Sequence, residues 1–199
     1  VQADLAICVK HQVPLIITSL GAVAELVQAV HSYGGKVFHD VINIRHAKKA
    51  IGANVDGLIL VCAGAGGHAG TYNPMPFVQE IKKIFNGTVL LSGCISTGQD
   101  VAAAMQMGAD LAYMGTRFIN VNESNATEEY KEMIINSKVE DIVNTAAISG
   151  VNANFMRASL KASGITKDLW EKKVKVDFGK ELDTEAKAWK TIWSAGQGV

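Results

Sequence analysis

The chain has 199 residues, 48% of them hydrophobic, with 19 basic side chains against 19 acidic ones. That length and composition can bury a core and exclude a disordered segment, and the even charge excludes a global field that would draw nucleic acid or an anionic membrane surface. Cys8, Cys62 and Cys94 are odd in number, far apart and without a Cys-x-x-Cys pair, which excludes a disulfide framework and a zinc site.

No apolar run reaches the roughly 18 to 20 residues that span a bilayer, and the opening lacks the order of a signal peptide. A soluble, cytoplasmic protein is the expectation, with partners to be read from a site. The chain opens on `VQADLAICVKHQ` without methionine, and Ala3 to Lys10 reads as the middle of an amphipathic helix, so a fragment is expected.

In chain order, `VPLIITSL` reads as a strand, and `GAVAELVQAVHSYG` as a helix because Val23, Leu26, Val27 and Val30 recur at helical spacing. The pair repeats as `KVFHDVI` with `NIRHAKKAIGAN`, `DGLILVC` with `MPFVQEIKKIF`, and `TVLLSGCI` with `TGQDVAAAMQMGA`, before a last strand `DLAYMGTRFI`. Short strands apolar on both faces and joined by helices predict an α/β fold with a parallel sheet, either doubly wound or a βα barrel. From residue 120 the rhythm breaks: `NATEEYKEMIINS` and `VEDIVNTAA` read as helices, `GVNANFMRASLKASGI` as a loop leading into a helix, and `EAKAWKTIWSAGQGV` as a helix carrying Trp189 and Trp193 on one face. A tight, glycine-ended close after that helix could return to the site.

In both architectures function sits after the carboxyl ends of the strands. The segments there, `TSLGA`, `DVINI`, `CAGAGGHAGTYNP`, `SGCISTG` and `GTRFINVNES`, are rich in glycine, serine and asparagine, and the opposite connections are short and bland. Gly64, Gly66, Gly67 and Gly70 crowd one loop, which suits a flat ligand approaching the main chain, although the spacing matches neither nucleotide-binding glycine motif. His68, inside that loop, can exchange a proton near neutral pH. Ser92 with Gly93, and Gly115 with Thr116, offer amides and hydroxyls for a phosphate without a lysine. Cys94 has no evident base and reads as a packed thiol. Ser19, Tyr72 and Asn152 lie in loops where substrate contact and turn or capping roles are equally open. His39, at another strand end, is a weaker candidate for the ligand shell.

`AGAGGHAG`, `SGCISTG`, `GADLAYMGTRF` and the closing `WSAGQGV`, in that order, together resemble the nitronate monooxygenase family, formerly called 2-nitropropane dioxygenases. The resemblance implies an FMN-dependent (β/α)8 TIM-type barrel. Residues 1–119 would be its last five strands with the FMN site, residues 120–199 a helical cap, and the first three strands would be missing. It implies His68 as base or electrostatic partner of the substrate, and FMN contacts at Gly66, Gly67, Ser92, Gly93, Cys94, Gly115 and Thr116, with the phosphate at Gly93–Cys94 and Gly115–Thr116. The implied partners are a small nitronate or nitroalkane and dioxygen, with no metal and a homodimer as a compatible assembly. Two departures stand out: Cys94 replaces the second glycine of a Gly-Gly pair, and `VCAGA` puts Val61 where glutamine is usual and Gly64 where glutamate is usual. Two alternatives stay open. One is an FMN- and NADH-dependent enoyl-acyl carrier protein reductase. The other is a non-flavin phosphate-binding barrel, an isomerase or synthase, for which Asp40 is the obvious carboxylate.

Overall fold

A computed structural model describes residues 2–21, 24–171 and 192–198. Within it the chain separates into two compact units, one of residues 1–61, 72–92 and 102–113, the other of residues 62–71, 93–101 and 114–199.

The first unit begins with helix α1 (Gln2–Lys10) and holds strands β1 (Leu15–Thr18), β2 (Lys36–Val41), β3 (Gly57–Val61), β5 (Thr88–Ser92) and β6 (Leu111–Tyr113). All neighbouring pairs are parallel, in the order β1-β2-β3-β5-β6. Helices α2 (Ala24–His31), α3 (Ile44–Gly52), α4 (Pro74–Lys82) and α5 (Gly98–Gln106) make the crossovers. The strand order never reverses, and right-handed crossovers that always step the same way lay every helix on one face. This is single winding, as in a βα barrel, and not the doubly wound alternative.

Burial agrees with the register. Val37, His39, Val41, Leu58, Leu60, Val89 and Leu91 share one face and are buried. The opposite face carries Phe38, Ile59, Val61 and Leu90, which pack as a cluster, with Asp40 and Ser92 towards the carboxyl ends. On the outer strands that same face is open, with Leu15, Ile17, Leu111 and Tyr113 each more than 40% exposed.

Side-chain caps start the helices where the chain must turn. Asn43 accepts from the His46 amide at 2.8 Å before α3. Asn73 accepts from the Met75 amide at 3.0 Å before α4, whose first residue is Pro74.

The second unit is built on a three-stranded antiparallel sheet, order β4-β8-β7, from β4 (Gly67–His68), β7 (Ile142–Thr145) and β8 (Ala153–Met156). Helices α6 (Glu128–Asn136), α7 (Arg157–Ala162) and α8 (Lys167–Trp170) accompany it. Ala153, Phe155, Leu160, Trp170 and Ile192 form one core; Ile134, Ile142, Met156 and Ala195 form another.

Three expectations need correction. `TRFI` does not extend β6: Gly115 leaves the strand, and the Phe118 amide bonds back to the Gly115 carbonyl at 2.9 Å, closing a short 3-10 turn over Thr116–Asn120. `VEDIVNTAA` is helical only in a 3-10 turn over Val139–Asp141; Ile142 to Thr145 pair with β8 as a strand, and the branched Ile142, Val143 and Thr145 suit a pleated sheet. `NANFM` is β8, so the region after residue 120 contains strands as well as helices. The expected helix over `EAKAWKTIW`, with Trp189, lies outside the described residues up to Thr191, and Ile192 and Trp193 are not helical, the Trp193 carbonyl accepting from the Met156 amide at 3.1 Å.

Candidate functional site

The segments 62–71, 93–101 and 114 onward directly follow β3, β5 and β6 in the chain, and all three fall in the second unit. The histidine loop leaves β3 through a turn in which the Ala65 amide bonds the Cys62 carbonyl at 3.2 Å. Gly64 and Gly67 have φ of +87° and +69°, a region a side chain resists. Gly67 and His68 then pair with Asn154 and Ala153 of β8. The Ala69 amide donates to the Asn152 carbonyl at 3.1 Å, so Asn152 borders the histidine through its main chain.

Sequence reasoning missed Asn154. It is 1% exposed, donates from Nδ2 to the Ala65 carbonyl at 2.6 Å and accepts from Asn144 Nδ2 at 3.0 Å. The histidine loop is thereby tied to a rigid strand, which is what a proton-transfer group needs. The available signal was the polar residue within the apolar run `NANFM`, read as a loop.

In the second loop Gly93 and Cys94 take φ of +118° and +58° in succession. The Cys94 thiol donates to the Ala63 carbonyl at 3.7 Å. Burial, and then the Asp100 charge, push this thiol up, which disfavours the thiolate a nucleophile requires. Cys62 is buried more deeply, and burial followed by the charge of Cys94 pushes its thiol up to about 12. Asp100 accepts from the Ser96 and Thr97 amides at 3.0 and 2.8 Å, bonds that hold its own carboxyl below the usual range and fix the loop at the start of α5.

In the third loop Gly115 is exposed, and among the described residues nothing lies within 4 Å of where its Cβ would be. The Thr116 hydroxyl accepts from the Gly196 amide at 2.9 Å. The closing `SAGQG` segment thus lies on these loops, and the Gln197 amide donates to the Gly64 carbonyl at 2.8 Å.

The remaining candidates belong to the first unit. Ser92 ends β5 and is buried. Ser19 follows β1 and hydrogen-bonds Asp40, whose carboxyl burial pushes up to about 6. Tyr72 sets its ring edge-on to Phe77 at 5.3 Å. His39 sits on the buried, helix-covered face with Nδ1 2.6 Å from Thr18 Oγ1, and burial lowers its pKa, so it is a packed side chain.

Glycine-rich loops after parallel strands in the order β1-β2-β3-β5-β6, with one histidine held on a strand pair, define a singly wound α/β fold. Residues 2–190 match the Nitronate monooxygenase family, and the chain belongs to that family. A nitronate monooxygenase of Paraburkholderia phytofirmans is 29% identical over 177 residues, covering 83% of this chain and 48% of that protein. A probable nitronate monooxygenase of Staphylococcus aureus is 30% identical over 153 residues, covering 71% and 43%. The chain therefore spans about half the length of these relatives.

Among solved structures, a FabK variant from Thermotoga maritima has a TM-score of 0.79 at 26% identity, covering 98% of this chain and 62% of that one. Nitroalkane oxidase from Streptomyces ansochromogenes has a TM-score of 0.81 at 21% identity, covering 99% and 61%, and shares the fold.

Proposed function

We propose that this chain carries the phosphate-binding and proton-handling loops of a cytoplasmic FMN-dependent oxidoreductase that oxidises nitronates, or nitroalkanes once deprotonated, with dioxygen to a carbonyl compound and nitrite. The carrying observation is His68, fixed on the β4–β8 pair within a family match over residues 2–190. The residues fit the tail of a flavin mononucleotide. No described residue lies within 4 Å of a Cβ at Gly115, the Thr116 hydroxyl is oriented, and the Gly93–Cys94 backbone takes two successive positive φ angles on its own loop.

Gly93, Cys94, Gly115 and Thr116 would hold the phosphate through amides and a hydroxyl, with Gly66, Gly67 and Ser92 as the further contacts. Bound FMN supplies the electron transfer to dioxygen. The protein's own part is to orient and to move a proton. For a nitroalkane, His68 takes the proton from the carbon bearing the nitro group, giving the nitronate anion and an imidazolium that faces it. A nitronate arrives already deprotonated and needs only the second service. Ser19, Tyr72 and Asn152 are the proposed substrate contacts, and a homodimer is the proposed assembly.

In the full-length protein, His68→Asn should lower nitroalkane turnover by about 100-fold or more, the scale of general-base catalysis, and nitronate turnover far less. Nitrite release on the two substrates measures this; equal rates with the wild type on both would remove His68 from the reaction.

The likeness to FabK supports a second reading, an FMN-dependent enoyl reductase. NADH consumption with an enoyl thioester and no nitrite from nitronate would select it. Colourless protein that stays so with FMN would instead leave a phosphate-binding isomerase or synthase using Asp40.

A further inference from the structure

The segment Ser194–Gly198 touches all three glycine loops through its main chain. The Gln197 amide donates to the Gly64 carbonyl at 2.8 Å, and the Gly196 amide donates to Thr116 Oγ1 at 2.9 Å. A Cβ on Gly196 would lie 2.9 Å from the Gly64 carbonyl oxygen and 3.3 Å from the Gly66 nitrogen. One on Gly198 would lie 2.7 Å from Ser96 Oγ and 3.3 Å from the Cys94 carbonyl carbon. Gly196 therefore requires glycine by close approach of backbone to backbone, whereas the nearest atom to Gly198 is the Ser96 hydroxyl.

This strap is held firmly from behind. The Trp193 amide donates to Ser159 Oγ at 2.7 Å, the Met156 amide to the Trp193 carbonyl at 3.1 Å, and Tyr130 Oη to the Ser194 carbonyl at 2.6 Å. The Tyr130 and Trp193 rings stack at 5.0 Å, and Ala195 is buried. Its amides reach the loops from a fixed frame.

A hydroxyl has one proton to donate and two lone pairs. With the Gly196 amide on one lone pair, the Thr116 proton is turned away from the strap and left for an incoming acceptor. We propose that Gly196 is a positioning residue, holding the Thr116 hydroxyl as a ready donor to a bound phosphate and the strap as a clamp across the three loops. This rests on the FMN reading above and adds that the strap acts through the phosphate and not through the ring.

The test compares FMN with riboflavin, which lacks the phosphate, by fluorescence titration of the full-length apoprotein and its Gly196→Ala, Thr116→Val and Thr116→Ser variants. A lost charge-assisted hydrogen bond should cost FMN affinity about tenfold or more. In Gly196→Ala and Thr116→Val, FMN should weaken by that factor while riboflavin stays within about twofold of wild type, and Thr116→Ser should restore the FMN value. Thr116→Val, nearly isosteric, keeps the test valid if Gly196→Ala fails to fold. Equal weakening of both ligands, or of neither, overturns the positioning role while leaving the FMN reading intact. A wild type that binds neither flavin overturns both.

Discussion

Asp40 ends the open face of the sheet beside Ile59 and is the carboxyl there whose environment most opposes ionisation. Burial pushes it from 3.8 to about 6, with the Ser19 hydrogen bond offsetting part of the rise. The folded chain then binds this proton more tightly than the unfolded one, so its favourable contribution is present at low pH and is lost as pH climbs from about 4 through about 6. Asp40→Asn should therefore raise Tm relative to wild type more at about pH 8 than at about pH 4. Equal shifts at both, in thermal melts, would mean that the carboxyl ionises as freely as in water. At this scale the positions of His68, Cys94 and Thr116 were legible in sequence: all three stand on the loops that follow the strands, where their neighbours in the chain placed them. The reason for Cys94 was not legible. Its thiol occupies the space a Cβ on Gly64 would take, so Cys94 and Gly64, though not Val61, form one steric unit made by residues 30 apart in the chain.

Among the elements, β4 is two residues long and has no strength of its own; its pairing with β8 and the Asn154 bond to Ala65 hold it. Removing a buried amide leaves the Ala65 carbonyl short of its donor and opens a small void, together about 2 kcal/mol. Asn154→Ala should lower stability by that amount in urea unfolding at constant m-value, with a matching loss of nitroalkane turnover as the histidine loop loosens. Unchanged stability would mean that the bond is worth nothing net. The four-residue strands β7 and β8 escaped sequence reading because neither alternates cleanly: β8 is buried at all four positions, and Asn154 interrupts an apolar run. Helices α2 to α5 were readable because each carries just over two turns of 3.6-residue periodicity on its own, whereas α1 buries no side chain and shows no such pattern.

For the whole molecule, alternation of strand and helix established a parallel α/β fold, but whether the winding is single or double depends on which strands pair, information that no local pattern holds. The unbroken order β1-β2-β3-β5-β6 decides it. That order also leaves Leu15, Ile17, Leu111 and Tyr113 exposed on the outer strands, an apolar surface of the kind that invites association. The 199-residue chain expressed alone should enhance the fluorescence of a hydrophobic dye, and the pair Ile17→Ser and Leu111→Ser should reduce it by about half without lowering stability. An unchanged signal would show these side chains to be covered. By itself the sequence determined the fold class, the glycine-rich loops after the strands and the histidine loop, because periodicity and glycine clustering are written within a few residues of one another. Only the tertiary structure decided the strand order, the support of His68 by β8 and the return of residues 194–198 onto the glycine loops. These are contacts across up to 133 positions, from Gly64 to Gln197, and backbone complementarity at such separation leaves no periodic trace in the chain.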